Sequence, residues 1–287
     1  MPYSEQDVFS TDEVVVRAWT NGETDGRPVL ICNGLGAGPS AWPGIYDRDD
    51  IGYYVVGYHH RGTAGSSRPF QEDDTYISDH AEDAFAVLDS FGFQDALVIG
   101  WGVGVSVAFE LAHAHPDRVS GLLAVCGVPD TSVGTVGSPL GVPARVGKTV
   151  RTGALAAVSS IPSAILDLLG KVPVNDTTIG LLQTSGILSS QADPALVSRA
   201  LDHYLEHDMS WYAQLARAAS RHGPVDTSDY DRPTLFLAAS RDVFVSPVLV
   251  KEAARRLPGA RVEVVSGSHF LPLEAPQLIL DSLATFG

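Results

Sequence analysis

The chain has 287 residues, 45% of them hydrophobic, enough for one large α/β domain with an insertion or for two small domains. Its 19 Lys and Arg against 34 Asp and Glu leave a net charge of −15, an acidic surface that repels phosphate backbones and excludes nucleic acid as the expected partner. The two cysteines, Cys32 and Cys126, fall in apolar strand-like runs and read as buried thiols of a reducing compartment, not as a disulfide scaffold. The start, Met1 to Asp7, is polar and acidic with no apolar secretory segment. The longest weakly charged stretch, 153–170, is broken by Pro162 and carries Asp167, so no membrane span is expected and a cytoplasmic protein is the default.

Val14 to Trp19 predicts an edge strand. Pro28 to Cys32 and Tyr53 to Tyr58 are β-rich runs bounded by turn residues, and predict two more. From Tyr76 to Phe91 the apolar positions Ile77, Ala81, Ala84, Phe85, Leu88 and Phe91 recur at a helical period. A strand over 96–100, a helix over 103–115 and a strand over 122–126 follow. Strands at 234–238 and 261–265 close the pattern, with helices at about 247–257 and 275–286. Such alternation implies a mostly parallel sheet covered by helices on both faces. The stretch from Asp130 to Asp231 reads as helices and loops without strand signals. It is therefore expected as a helical cap (130–231) inserted into a core made of 1–129 and 232–287. Its periodic segments, Ile161 to Leu169 and Ala195 to Tyr204, must pack on something, either as a cap over a cleft or as plain extra core.

Four motifs follow predicted strands. Asn33-Gly34-Leu35-Gly36 can turn amide N–H groups toward a developing oxyanion, although alone it reads as an ordinary Gly-rich turn. A dinucleotide reading of it needs an acid at the end of the next strand, where Gly57-Tyr58-His59 stands instead. Arg61-Gly62-Thr63-Ala64-Gly65-Ser66 is a tight loop. Gly100-Trp101-Gly102-Val103-Gly104 has the frame of a nucleophile elbow, a sharp strand-to-helix turn whose central side chain stands above the sheet. The centre here is Gly102, which has no atom that attacks a carbonyl. The same glycines could cradle a phosphate at a helix N-terminus, but none stands at 105 to complete a dinucleotide pattern. Finally, Asp242 and His269 follow the last two strands, at the sheet edge where open α/β sheets bind ligands.

With these four in order, the chain resembles the α/β-hydrolase superfamily over essentially its whole length, most of all esterases, lipases and C–C bond hydrolases with an inserted lid. The resemblance implies an α/β-hydrolase fold with no metal and no cofactor. It gives the oxyanion N–H groups to Leu35 and Val103, the orienting acid to Asp242 and the general base to His269. Gly34, Trp101 and Trp42 become candidate substrate-binding residues. Asn33 stands where the family often has His, His59 where a loop Asp is common, and Ala64 where the Arg-Gly loop has Gly. A register like that of haloalkane dehalogenases places Gly100 where Asp belongs and lacks a nucleophile too. Asp130 occupies the alternative acid position of some members.

Two histories explain Gly102. Either it replaces a serine nucleophile, or it is native to a protein that binds a ligand or works without a covalent intermediate. The intact Asp242 and His269 favour the first, since a binding protein has no chemical need for them. A dyad with an oxyanion hole could still activate water or move a proton. The few charges between Gly153 and Leu182 point to a small apolar substrate. Ester, thioester, lactone and C–C bonds all stay open, as does acyl transfer.

Overall fold

A computed structural model describes residues 3–71, 75–130, 173–227 and 230–287. The strands are β1 (Ser4–Phe9), β2 (Val15–Thr20), β3 (Arg27–Cys32), β4 (Tyr53–Tyr58), β5 (Ala96–Trp101), β6 (Val119–Val125), β7 (Thr234–Ala239) and β8 (Arg261–Val265). They form one sheet in the order β1-β2-β4-β3-β5-β6-β7-β8. β2 runs antiparallel to both neighbours and every other pair is parallel. Helices α1 (Ile77–Ser90) and α2 (Val103–Ala114) flank β5, and α3 (Asp176–Thr184), α4 (Pro194–Leu205) and α5 (Met209–Ser220) lie between β6 and β7. After β7 come α6 (Pro247–Ala254), α7 (Leu271–Glu274) and α8 (Pro276–Ala284).

The central strands read as unbroken apolar runs because both their faces are covered. Successive side chains point to opposite faces. Leu30, Cys32, Val98, Leu122, Ala124 and Phe236 pack with α1 and α2. Their neighbours Val29, Ile31, Leu97, Ile99, Leu123, Val125 and Leu235 pack with Trp42 and with Ile279 and Leu283 of α8. Each such buried aliphatic side chain is worth about 1.5–3 kcal/mol relative to an exposed one. The strand order reverses between β3 and β5, where Cys32 pairs with Gly100. A crevice opens at the C-terminal ends of strands at such a switch point. The loop Asn33–Gly36 and the turn at Gly102 both leave the sheet there.

Two expectations are corrected. Val14 to Trp19 is not the edge, because β1 pairs outside it. β1 escapes a reading by hydrophobic pattern because only Val8 of Ser4–Phe9 is buried. The helix expected over 275–286 is α8, Pro276–Ala284, and the short α7 before it is an addition, separated from α8 because Pro276 holds Ala275 out of helical conformation (φ −145°, ψ 60°). The helix expected at about 247–257 ends earlier, at Ala254. Ala195 to Tyr204 lies within α4, whereas Ile161 to Leu169 lies outside the described residues. Among the described residues no helix is long and apolar enough to cross a membrane.

The Arg-Gly loop is anchored by a buried ion cluster. Arg61, with no exposed surface, donates Nε to Asp83 Oδ2 at 2.7 Å, Nη2 to Asp83 Oδ1 at 2.9 Å and Nη1 to Asp12 Oδ2 at 2.7 Å. Burial alone would raise the Asp83 carboxyl, but His80, 3.7 Å away, and the hydrogen bonds from Arg61 outweigh it and hold the group below the usual carboxylate range. The Arg61 carbonyl accepts the Trp211 indole N–H of α5 at 2.7 Å, which ties the inserted helices to the same loop. Ala64 sits at φ 46°, a left-handed backbone setting that favours glycine.

Candidate active site

β5 ends and α2 begins around Gly102, whose backbone is at φ 57°, ψ −116°. A side chain is strained there, which makes this a turn that glycine enters freely. The turn is also tight. A Cβ on Gly104 would overlap the Cys32 carbonyl oxygen and come within 2.6 Å of that of Asn33, so α2 starts pressed against the end of β3. A Cβ on Gly102 would lie 3.1 Å from His269 Nε2, with its next neighbours at 3.5 Å (His269 Cε1) and 4.0 Å (Gly34 Cα). A side chain at 102 would therefore project at the imidazole.

His269 stands in the loop between β8 and α7, four residues after the strand. Its Nδ1 lies 2.9 Å from Asp242 Oδ2. The other oxygen, Asp242 Oδ1, accepts the backbone N–H groups of Phe244 and Val245 at 2.7 and 2.8 Å. With Asp242 ionised, Nδ1 carries the proton and Nε2 offers its lone pair toward Gly102. The His269 backbone is fixed as well. Its carbonyl accepts Trp101 Nε1–H at 2.8 Å, and Glu274 accepts the N–H of Ser268 at 2.8 Å and its hydroxyl at 2.5 Å. Glu274 also accepts the N–H of Ser189 at 2.7 Å, so the segment before α4 is clasped to the histidine loop.

The loop after β3 faces this pair. Asn33 is fully engaged, donating Nδ2–H to the Tyr58 carbonyl at 2.9 Å and accepting Trp42 Nε1–H at 2.7 Å. Trp42 has no exposed surface and supports the loop from below, edge-on to Trp101 at 6.0 Å. Gly34 lies on the Trp101 ring, where a Cβ would come within 2.9 Å of Cε3. Among the described residues, neither the Leu35 nor the Val103 N–H is bound to a backbone carbonyl. Val103 is the first residue of α2, where helix geometry leaves the N–H without an internal partner.

A family model described as "alpha/beta hydrolase fold" matches residues 27–276. The chain belongs to the α/β-hydrolase family. A full-length relative is the AB hydrolase superfamily protein YfhM of Bacillus subtilis, 27% identical over 291 residues and 96% of each chain. Two solved structures share the fold at lower identity. One is an esterase from Exiguobacterium antarcticum, with a TM-score of 0.76 and 16% identity over 99% of each chain. The other is an enol-lactonase from Burkholderia xenovorans, with a TM-score of 0.71 and 16% identity over 98% of this chain and 99% of that one.

This α/β hydrolase carries surroundings that its sequence did not disclose. Phe244 packs on His269 at 4.9 Å between ring centroids, and Phe270 at 5.7 Å. Tyr212 and Tyr204, from α5 and α4, cover Gly36 of the loop after β3. His207, two residues past α4, donates Nε2–H to the Gly36 carbonyl at 2.8 Å. His203 packs between His207 (5.3 Å, edge-on) and His59 just after β4 (5.4 Å, tilted). Asp130 is placed away from the imidazole, paired with Arg256 at 2.8 Å, so the alternative acid position is occupied by a surface ion pair.

The histidine cluster makes stability depend on pH. Burial holds His59 down to about 3, with His203, His207 and Arg17 adding to the shift. Burial also lowers His60, His203 and His207. Glu5, 3.8 Å from His59, Asp83 beside His60, and Glu206 just past α4 face the cluster and do not reverse these directions. Unfolding returns the imidazoles to their ordinary value of about 6.5, so below it the unfolded chain binds more protons than the native one. The stability they contribute is complete above about pH 6.5 and is lost as pH falls toward 3. His59→Gln should flatten the urea-midpoint profile between about pH 7 and 5 by up to roughly 1.4 kcal/mol per pH unit. An unchanged slope would contradict it.

The turn makes a second prediction. Backbone strain at a non-glycine residue costs about 1–3 kcal/mol, and the larger unfolded-state entropy of glycine offsets part of this. Gly102→Ser should lower stability by about 1 kcal/mol, or roughly 2–4 °C in thermal midpoint, measured without ligand. An equal or higher midpoint would remove strain from the account of this turn.

Proposed function

We propose that this α/β hydrolase is a serine-hydrolase-type scaffold for an ester or related acyl bond of a small apolar molecule, with Gly102 in the nucleophile position. The observation that carries this reading is the line from Gly102 through His269 Nε2 to Asp242, in which every partner but the attacking oxygen is present. In it Asp242 fixes the tautomer of His269, and His269 is the general base. The N–H groups of Leu35 and Val103 hold the oxygen of the tetrahedral intermediate. Helices α3 to α5 serve as a cap on the cleft, with Tyr204 and Tyr212 over the oxyanion loop. Trp101, Phe244 and Phe270 around the imidazole favour an apolar substrate over a charged one.

Without a side-chain nucleophile, the chain as it stands has one hydrolytic route. His269 Nε2 takes a proton from water, the resulting oxygen attacks the carbonyl directly, and the imidazolium returns its proton to the leaving alkoxide. No acyl-enzyme forms, and turnover is very slow. A second reading rests on Gly102 itself: a site relieved of its nucleophile can serve purely to bind a small apolar ligand. His269→Ala separates the two. The hydrolytic reading requires the slow hydrolysis of p-nitrophenyl acetate to fall in that variant to what the oxyanion hole and binding alone sustain, while thermal-shift responses to apolar ligands persist. Residual hydrolysis that is indifferent to His269→Ala would leave only the binding reading.

A further inference from the structure

We infer that Cys126, Asp242 and His269 form a binding site for one thiophilic divalent cation of the zinc class, and that occupancy switches off the histidine as a base. The inference rests on where three side chains meet, independently of the acyl chemistry proposed above. The three follow the ends of β6, β7 and β8, which are neighbours in the sheet. They offer a thiol, a carboxylate and an imidazole, a ligand set suited to Zn²⁺. Their ligand atoms all lie within 4.8 Å of one another, and no other described residues form such a group of three. Three points so spaced lie within about 2.8 Å of a common centre, against bond lengths of about 2.0–2.3 Å to nitrogen, oxygen and sulfur. Each ligand atom needs to move by well under 1 Å.

Cys126 is fully buried in the apolar layer under α8, and its Sγ makes a weak contact to the Ser268 carbonyl at 3.8 Å and lies beside Ala239 and Asp242. Its backbone is held at φ 49°, on the left-handed side that a residue with a side chain rarely enters. Asp242 is also fully buried at its side chain, while 15% of the His269 side chain is exposed, so the ion enters past the imidazole.

The binding step balances without redox change. The Cys126 thiol releases its proton to solvent, and sulfur takes the cation in its place. His269 moves its proton from Nδ1 to Nε2, so that the Nδ1 lone pair faces the ion. Asp242 Oδ2 exchanges the Nδ1–H for the cation. One proton leaves per ion bound, and Nε2, now protonated, no longer accepts a proton on the side of Gly102. A solvent molecule or the Ser268 carbonyl completes four-coordination.

Co²⁺ is the probe, because its thiolate complexes show a near-ultraviolet charge-transfer band that Zn²⁺ lacks. The unmodified chain should develop this band to saturation at one ion per molecule, release one proton per ion, and lose the band when Zn²⁺ is added. Cys126→Ser should abolish the band, Cys32→Ser should retain it, and Asp242→Asn should weaken binding at least about tenfold, the loss typical of disturbing a metal ligand's support. If the 126 variant does not fold, the unmodified chain still decides. The low-field proton resonance of the His269 Nδ1–H should vanish with Zn²⁺ and return on chelation. The inference is overturned if no charge-transfer band forms with Co²⁺ in large excess over folded protein. It is overturned equally by a band that survives Cys126→Ser, or by an Nδ1–H resonance indifferent to Zn²⁺.

Discussion

Gly102→Ser should raise kcat/KM for p-nitrophenyl esters of short acids by at least about 10³-fold over the chain as it stands. In a serine hydrolase, loss of the nucleophile alone costs on the order of 10⁶ in kcat, and what survives comes from the oxyanion hole and binding. The geometry favours a large recovery because the partners are already in place. A Cβ at 102 lies 3.1 Å from His269 Nε2, and the imidazole is already oriented by Asp242 at 2.9 Å. That contact is slightly tight, so His269 must give by a few tenths of an ångström. Its loop is anchored through Trp101 and Glu274, but its ring retains 15% exposure and room to adjust. The gain should vanish in Gly102→Ser combined with His269→Ala, because an unassisted serine hydroxyl is a weak nucleophile at neutral pH. A folded Gly102→Ser variant with unchanged kcat/KM would remove the nucleophile position from the proposal.

Arg61→Leu should cost about 3–5 kcal/mol of stability, the typical loss when one partner of a buried ion pair is removed. Arg61 and Asp83 have no exposed side-chain surface, so no solvent compensates the carboxylate left behind. The midpoint should fall on the order of 10 °C. Adding Asp83→Leu should recover part of the loss, because the uncompensated charge disappears with it. The loss should register in the inserted helices as well as the core, since the Arg61 carbonyl holds Trp211 of α5. A loss under about 1 kcal/mol would mean that water reaches the cluster.

The sequence disclosed elements where burial is complete and missed them where it is not. β5 and β7 are buried at every position, and both stand out as unbroken apolar runs. β1 has one buried residue, Val8, and leaves no such trace. Pro276 marks the start of α8 in the sequence, whereas the four-residue α7 before it is too short to leave a helical period. In the proposed site, the convergence of Gly102, Asp242 and His269 was legible because glycine at an elbow, and a lone acid and imidazole after strand ends, are unusual residues at telling places. Residues that act by packing were not. Trp42 reads as an aromatic wall but lies wholly beneath the loop, with its N–H spent on Asn33. Tyr204, Tyr212 and Phe244 reach the site from segments whose positions depend on tertiary packing. Cys126 sits in an apolar run, and only the sheet order brings it beside Asp242.

The central claim is that position 102 stands where a nucleophile belongs, served by His269 and Asp242. Its most direct test is intact-mass and peptide-mapping analysis of Gly102→Ser after exposure to a fluorophosphonate. The account predicts one adduct per chain, at position 102, with none on the chain as it stands and little when His269→Ala is added. No adduct on the folded variant, an adduct elsewhere, or labelling at 102 that is indifferent to His269→Ala would contradict it.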